Sequence, residues 1–162
     1  MWSDTGTGKR PVPKKQREGC LRLGDTARAM SQENVEFHHQ VIDAFNRRDL
    51  GAYLALIDPE VEWTPYEVWV QGGEPYRGHA GIRSWWEESF GVFPDLRAEV
   101  HEIRDFGDRT FASGRLRGQG AGSGVSIERA MWLANEWRNK KMVWGCAFGS
   151  EAEALEAAGR SE

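Results

Sequence analysis

Residues 61–86, VEWTPYEVWVQGGEPYRGHAGIRSWW, decide how this chain folds. They hold four of its eight tryptophans and two of its three tyrosines. Residues 61–64 read as a short strand, 65–79 as a loop punctuated by Gly72, Gly73, Pro75 and Gly78, and 80–90 as a helix. In that helix Ile82, Trp85, Trp86 and Phe90 share one face, the spacing that buries a stripe against a sheet. Trp63 enters on the strand and Tyr66 and Trp69 on the loop, so aromatic side chains wall a concavity. A pocket is the first expectation.

Upstream, Ser31 is placed to cap a helix with Glu33 in its first turn, and Val35, His38, Val41, Ile42 and Phe45 then fall on one face through to Arg48. Asp49 caps a second helix with Leu50, Tyr53, Leu54 and Ile57 inward, and Asp58-Pro59 stops it. Downstream, Phe93-Pro94-Asp95 breaks the third helix and the period changes to two. Leu96, Ala98 and Val100 share a strand face, residues 105–108 supply a turn, and 109–118 return as a strand. The glycine tract 118–124 would suit a phosphate only if a helix began directly after it. Val125-Ser126-Ile127 opens a strand instead, so the tract reads as a hairpin loop. The chain then alternates through Ile127, Arg129, Met131, Leu133, Asn135 and Trp137, turns over 138–141, and returns through Met142, Trp144, Cys146 and Phe148. Residues 151–158 form a short amphipathic helix that Gly159 stops. Three helices ahead of a mostly antiparallel sheet predict an α+β fold with the helices gathered on one face.

A chain of 162 residues, 40% hydrophobic and 28% charged, fits one domain. Its net charge of −4 is uneven: residues 1–29 carry seven basic side chains against three acidic, and the rest fourteen against twenty-two. The body is therefore a poor holder of a phosphate backbone, and no nucleic-acid partner is expected of it. Residues 1–29, rich in Gly, Pro and basic side chains, are expected to be disordered. They read either as a basic arm or as an extension ahead of a start at Met30, the domain itself spanning 30–160. No apolar run has the length of a membrane span and no signal-peptide core is present, so a cytoplasmic protein without a membrane partner is expected. Cys20 and Cys146 make neither a disulfide framework nor a zinc motif.

Several runs together resemble the SnoaL-like branch of the nuclear transport factor 2-like superfamily. They are Met30-Ser31-Gln32-Glu33-Asn34-Val35-Glu36, Ala44-Phe45-Asn46 with Asp49-Leu50, Asp58-Pro59-Glu60-Val61-Glu62-Trp63, Tyr76-Arg77-Gly78 with Gly81-Ile82-Arg83, and Glu153-Ala154-Leu155-Glu156-Ala157-Ala158-Gly159. The resemblance implies a cone: a curved sheet wrapped around three helices, a pocket between the concave face and the helices, and a homodimer across the outer face. Lys140 departs from the glycine usual in the last hairpin turn. Because such cones host isomerases, cyclases, dehydratases, hydrolases and non-catalytic members, the fold does not name a reaction. The base and two oxyanion donors of ketosteroid isomerase pair here with Trp63, Val41 and Leu133, none of which does that chemistry. No Asp-Arg-Asp set of the limonene epoxide hydrolase kind is present, only Glu128-Arg129.

The same pairing turns Arg129, Met131, Leu133 and Asn135 toward the concave side. Arg129 there suits an anionic or enolate oxygen, or else pairs with Glu62, Glu67 or another acid. His38 lies on the apolar face of the first helix, as a base or donor in a pocket or as a buried histidine held by a hydrogen bond. His79 reads as a structural residue at a helix entry, and His39 and His101 have no metal-binding spacing with the others. Trp63, Tyr66, Trp69, Trp86, Met131, Leu133 and Asn135 are the expected ligand-contacting set, with Trp85 in the core. Two functional readings stand. One is a cofactor-independent enzyme, an isomerase, cyclase or lyase acting on a small, largely apolar molecule, with His38 and Arg129 nearest the chemistry. The other is a non-catalytic ligand-binding or dimeric interaction domain.

Overall fold

The structure is a computed structural model and describes residues 32–159. The basic segment 1–29, Met30 and the Ser31 cap lie outside the described residues. Helix α1 covers 32–47, with His38, Val41, Ala44 and Phe45 buried along one side as helical spacing requires. It stops at Arg48, whose φ is 62° and whose guanidinium donates to the Pro94 carbonyl at 2.7 Å. Asp49 caps α2, Leu50–Ala55, by accepting from the Ala52 N–H at 3.0 Å.

Helix α2 is shorter than its apolar pattern suggests. Ile57 leaves it to open β1, Ile57–Thr64, where its side chain is fully buried and its backbone pairs beside Met142. Pro59 is tolerated in this strand because the pairing with the next strand is interrupted between Ile57 and Glu62, where the missing N–H leaves no ladder bond broken.

The loop expected over 65–79 contains two regular elements, α3 at Tyr66–Gln71 and β2 at Tyr76–Arg77. Fewer than two helical turns are too short for an apolar period to show in sequence. Gly72, at φ 76°, ends α3 with its N–H on the Val68 carbonyl. Helix α4, Gly78–Val92, buries Ile82 and Trp86. His79 fastens its start to β1, the ring Nε2 lying 2.8 Å from the Ile57 carbonyl.

The remaining strands are β3 (Arg97–Phe106), β4 (Arg109–Gln119), β5 (Ser126–Arg138) and β6 (Lys141–Phe148). They join β1 and β2 in one six-stranded sheet ordered β2-β1-β6-β5-β4-β3. Every neighbouring pair is antiparallel except β1 and β6. Met131, Leu133, Asn135 and Trp137 are buried on the concave face, so the alternation read along β5 holds. On the other face Phe111 and Ala134 are covered by helix α5, Glu151–Gly159, through Ala154, Ala157 and Ala158. Their small side chains let the helix lie close. The architecture is the α+β cone that the element order and the resemblance imply. Its helices, however, are not all on one face, because α5 packs outside.

Candidate functional site

One row of residues runs across the sheet and organises the site. Trp63 on β1 pairs with Gly145 on β6, Gly145 with Asn135 on β5, and Asn135 with Thr110 on β4. Cross-strand partners present their side chains to the same face. Helix α1 lowers His38 onto the inner end of this row. The imidazole is wholly buried, with Nδ1 2.7 Å from Thr110 Oγ1 and Nε2 3.3 Å from the Asn135 amide. Trp137, two residues along β5, donates its indole N–H to the same Thr110 hydroxyl at 2.8 Å. Burial, helped by the neighbouring His39, pushes the His38 pKa down to about 3. At neutral pH the ring is therefore uncharged and a weak base.

Two buried polar atoms have no partner among the described residues: Trp63 Nε1 and the outer atom of the Asn135 amide, Oδ1 as placed. Leaving such groups unpaired costs roughly 1–3 kcal/mol each. Both residues line a cavity of about 100 Å³ between α1, α2, α4 and the concave sheet face. Its wall is otherwise mostly apolar and includes Phe45, Tyr53, Trp85, Leu96, Met131 and Leu133. Burial raises the Tyr53 phenol pKa, so that group stays neutral. The cavity meets a wider groove of about 310 Å³, the two sharing Pro65, Glu67, Trp85, Ser89, Leu96 and Leu116. At the groove, Tyr76 donates to Glu88 at 2.6 Å, and that hydrogen bond, with partial burial, pushes the phenol up to about 12.

Arg129 lies at the rim. It donates to Glu67 at 2.9 Å and its guanidinium carbon sits 4.2 Å above the Tyr66 ring, so an acid partner and an aromatic face both hold it. Of the expected ligand-contacting residues, Trp63, Tyr66, Met131, Leu133 and Asn135 line the cavity together with His38 and Arg129. Trp69 and Trp86 do not. Trp69, 37% exposed, is stacked behind Tyr66 and edges onto Phe148. Trp86 is turned into the core among Phe45, Tyr53 and Phe90 because the helical stripe it shares with Trp85 is wider than the cavity. Trp85, expected in the core, lines the wall and meets Trp63 edge-on at 5.3 Å.

Sequence reasoning also missed Thr110 and Trp137. Trp137 was visible in the alternation of β5, but nothing marked Thr110 except its place on an alternating strand. Among the described residues, no group of three His, Cys, Asp or Glu side chains is placed to hold a metal ion. Cys146 is buried, and burial pushes its thiol up to about 11, away from nucleophilic use.

An α+β cone with a mostly apolar cavity opening beside α4 defines the class. The chain belongs to the SnoaL-like domain family, whose model matches residues 27–143. Solved structures agree on the fold. An NTF2-like protein of unknown function from Burkholderia pseudomallei K96243 is 23% identical, with a TM-score of 0.65 over 76% of this chain and 95% of that one. TerC, co-crystallised with polyporic acid, is 22% identical with a TM-score of 0.64 over 79% of this chain and 99% of its own. IdmH, a proposed polyketide cyclase from Streptomyces antibioticus, is 23% identical with a TM-score of 0.60 over 77% and 97%. At such identities the likeness is one of fold. No curated protein matches the chain. No helix among the described residues is long and apolar enough to cross a membrane.

Proposed function

We propose that this protein binds one compact, largely apolar molecule in the cavity between α1, α4 and the concave sheet. A single observation carries the reading: a mostly apolar hollow that communicates with a wider groove at the mouth of a small domain. The relatives support a small-molecule occupant, since one was co-crystallised with polyporic acid and another is a proposed polyketide cyclase. Binding is favoured over catalysis. Both ring nitrogens of His38 are engaged, its basicity is suppressed, and Arg129 is paired with Glu67. Cofactor-independent proton transfer, cyclisation or dehydration is the second reading, favoured by the likeness to a proposed polyketide cyclase. In it His38 acts as a neutral hydrogen-bonding group and Arg129 steadies an anionic oxygen at the rim. The proposal includes a cytoplasmic setting and a homodimer formed across the outer sheet face.

The test is a titration of uncharged two- and three-ring compounds, from indane to fluorene, followed by tryptophan fluorescence. Saturable one-to-one binding is expected in the wild type. It should be lost in Met131→Trp, which fills the cavity, while circular dichroism shows the fold intact. If no compound in the series saturates, or the filled variant binds as well as the wild type, the reading is wrong. Turnover of a bound compound that disappears in both His38→Ala and Arg129→Ala would move the balance to the catalytic reading.

A further inference from the structure

The groove beyond the cavity has a chemistry of its own. It runs between α3, β2, one face of α4 and the place where β4 ends and β5 begins. Trp85, Glu88, Ser89 and Val92 follow one another at helical spacing, so α4 presents them to it together. Val68, Tyr76, Glu88, Val92, Phe93 and Ile127 line the groove and take no part in the cavity wall. Its volume of about 310 Å³ suits a small molecule.

The charged side chains in its lining are two carboxylates, Glu67 and Glu88, and among the described residues no Lys, Arg or His lines it. Glu67 has Arg129 at 2.9 Å, so its charge is matched from outside the groove. Glu88 is different. It accepts from the neutral Tyr76 hydroxyl at 2.6 Å and makes no ion pair among the described residues. That hydrogen bond, partial burial and the charges of Glu88 and Glu67 push the Tyr76 phenol up to about 12. The phenol therefore keeps its proton, and its oxygen is able to accept from a further donor.

Glu88 thus brings an unbalanced negative charge to a groove whose other walls are aromatic, at Tyr76, Trp85 and Phe93, and aliphatic, at Val92 and Ile127. Val92 is 57% exposed, which leaves apolar surface for an occupant to cover. An anion is repelled here, and a neutral molecule leaves Glu88 unmatched. A cation suits both the carboxylate and the negative faces of the rings.

We propose that this groove is a second site, separate from the cavity, and that it binds an organic ammonium ion with an apolar tail. The ammonium donates to the Glu88 carboxylate and the Tyr76 hydroxyl oxygen, and the tail lies along Val92, Phe93 and Ile127. An alkylammonium keeps its charge to about pH 10, as lysine does, so the pairing holds at neutral pH. A tail is needed as well as a charge because an exposed ion pair contributes little alone.

Phenylbutylamine, phenylbutanol and phenylbutanoate, which share a phenylalkyl tail and differ in charge, test this by calorimetry and by ¹H–¹⁵N spectra of the assigned protein. In the wild type at low salt the amine is expected to bind about tenfold more tightly than the alcohol, and the anion most weakly. Added salt should narrow that gap. Backbone resonances of Val68, Val92 and Ile127 should move with the amine, and should still do so in Met131→Trp, whose cavity is filled. Glu88→Gln keeps an acceptor for Tyr76 and removes only the charge. It is expected to weaken the amine about three- to tenfold and to leave the alcohol within about twofold. Glu88 is exposed, so this change does not threaten the fold. An alcohol that binds as well as the amine, an amine unaffected by Glu88→Gln, or shifts confined to cavity residues such as Leu133 would overturn the proposal. So would equal displacement by tetralysine, which has the charge without the tail and would report a general acidic surface. Any of these failures leaves the cavity reading standing, because that reading is tested with uncharged rings.

Discussion

His38 shows how one side chain's burial sets a pH dependence. Its pKa in the folded protein is about 3, below the ordinary 6.5, because the buried ring loses hydration and has a histidine neighbour. Below pH 6.5 the unfolded chain takes up a proton that the folded chain refuses. Stability from this group is therefore complete above pH 6.5 and is lost as pH falls from there toward 3. Between pH 7.5 and 5.0 the wild type should lose about 2 kcal/mol through His38, at ~1.4 kcal/mol per pH unit below 6.5. Urea unfolding at the two pH values measures it, with His38→Gln as reference. Equal losses in the two proteins would show that the ring is not held neutral. Arg129 is a contrasting residue. Its bond to Glu67 is half in water, so it contributes little to stability, and the pair's value lies in closing the rim.

At the level of elements, the β5–β6 hairpin is tight but made from an unusual sequence. Asn139 and Lys140 both have positive φ, 53° and 67°, the two-residue turn that normally takes Asn-Gly. Asparagine tolerates that conformation; lysine has a Cβ that crowds the following carbonyl. Lys140→Gly is expected to raise stability by about 1 kcal/mol, read from the urea midpoint at constant slope. A midpoint that stays put or drops would mean the turn carries no strain. The same scale shows where sequence reading is sharp and where it is blind. Long periodic runs such as α1, α4 and β5 were legible because many residues vote for one period. Helix α3 was not, since six residues between Pro65 and Gly72 contain no full repeat. Ile57 reads as the end of a helix because its neighbours share that period, and only the partner strand at Met142 makes it β.

For the whole molecule, the question is what covers the outer sheet. Helix α5 shields Phe111 and Ala134. Next to it, half-buried Trp132 is followed toward the open end of β4 and β5 by a charged ladder. There Arg115 and Arg117 meet Glu128 at 3.1 and 3.4 Å, and Arg117 meets Glu99 at 3.4 Å. An aromatic side chain bordered by paired charges is suited to a two-fold contact in which each copy's ladder faces the other's. Sedimentation should give about twice the 18.3 kDa of one chain, shifting to the monomer in Glu128→Arg, which places like charges together. A wild type that sediments as a monomer at micromolar concentration would remove the homodimer from the proposal.

What the amino-acid order determined by itself is the set of long elements, the inward face of β5 and the aromatic character of the site. These depend on local periodicity and on side-chain chemistry, both of which are carried by neighbouring residues. Only the tertiary structure decided which tryptophans line the cavity and which fill the core, for Trp85 and Trp86 are adjacent on one helix and part company only where the sheet curves away. It likewise brought Trp63, Gly145, Asn135 and Thr110 into one row from four strands, and set His38 on it from a helix. Strand register joins residues tens of positions apart, and no local pattern encodes that distance.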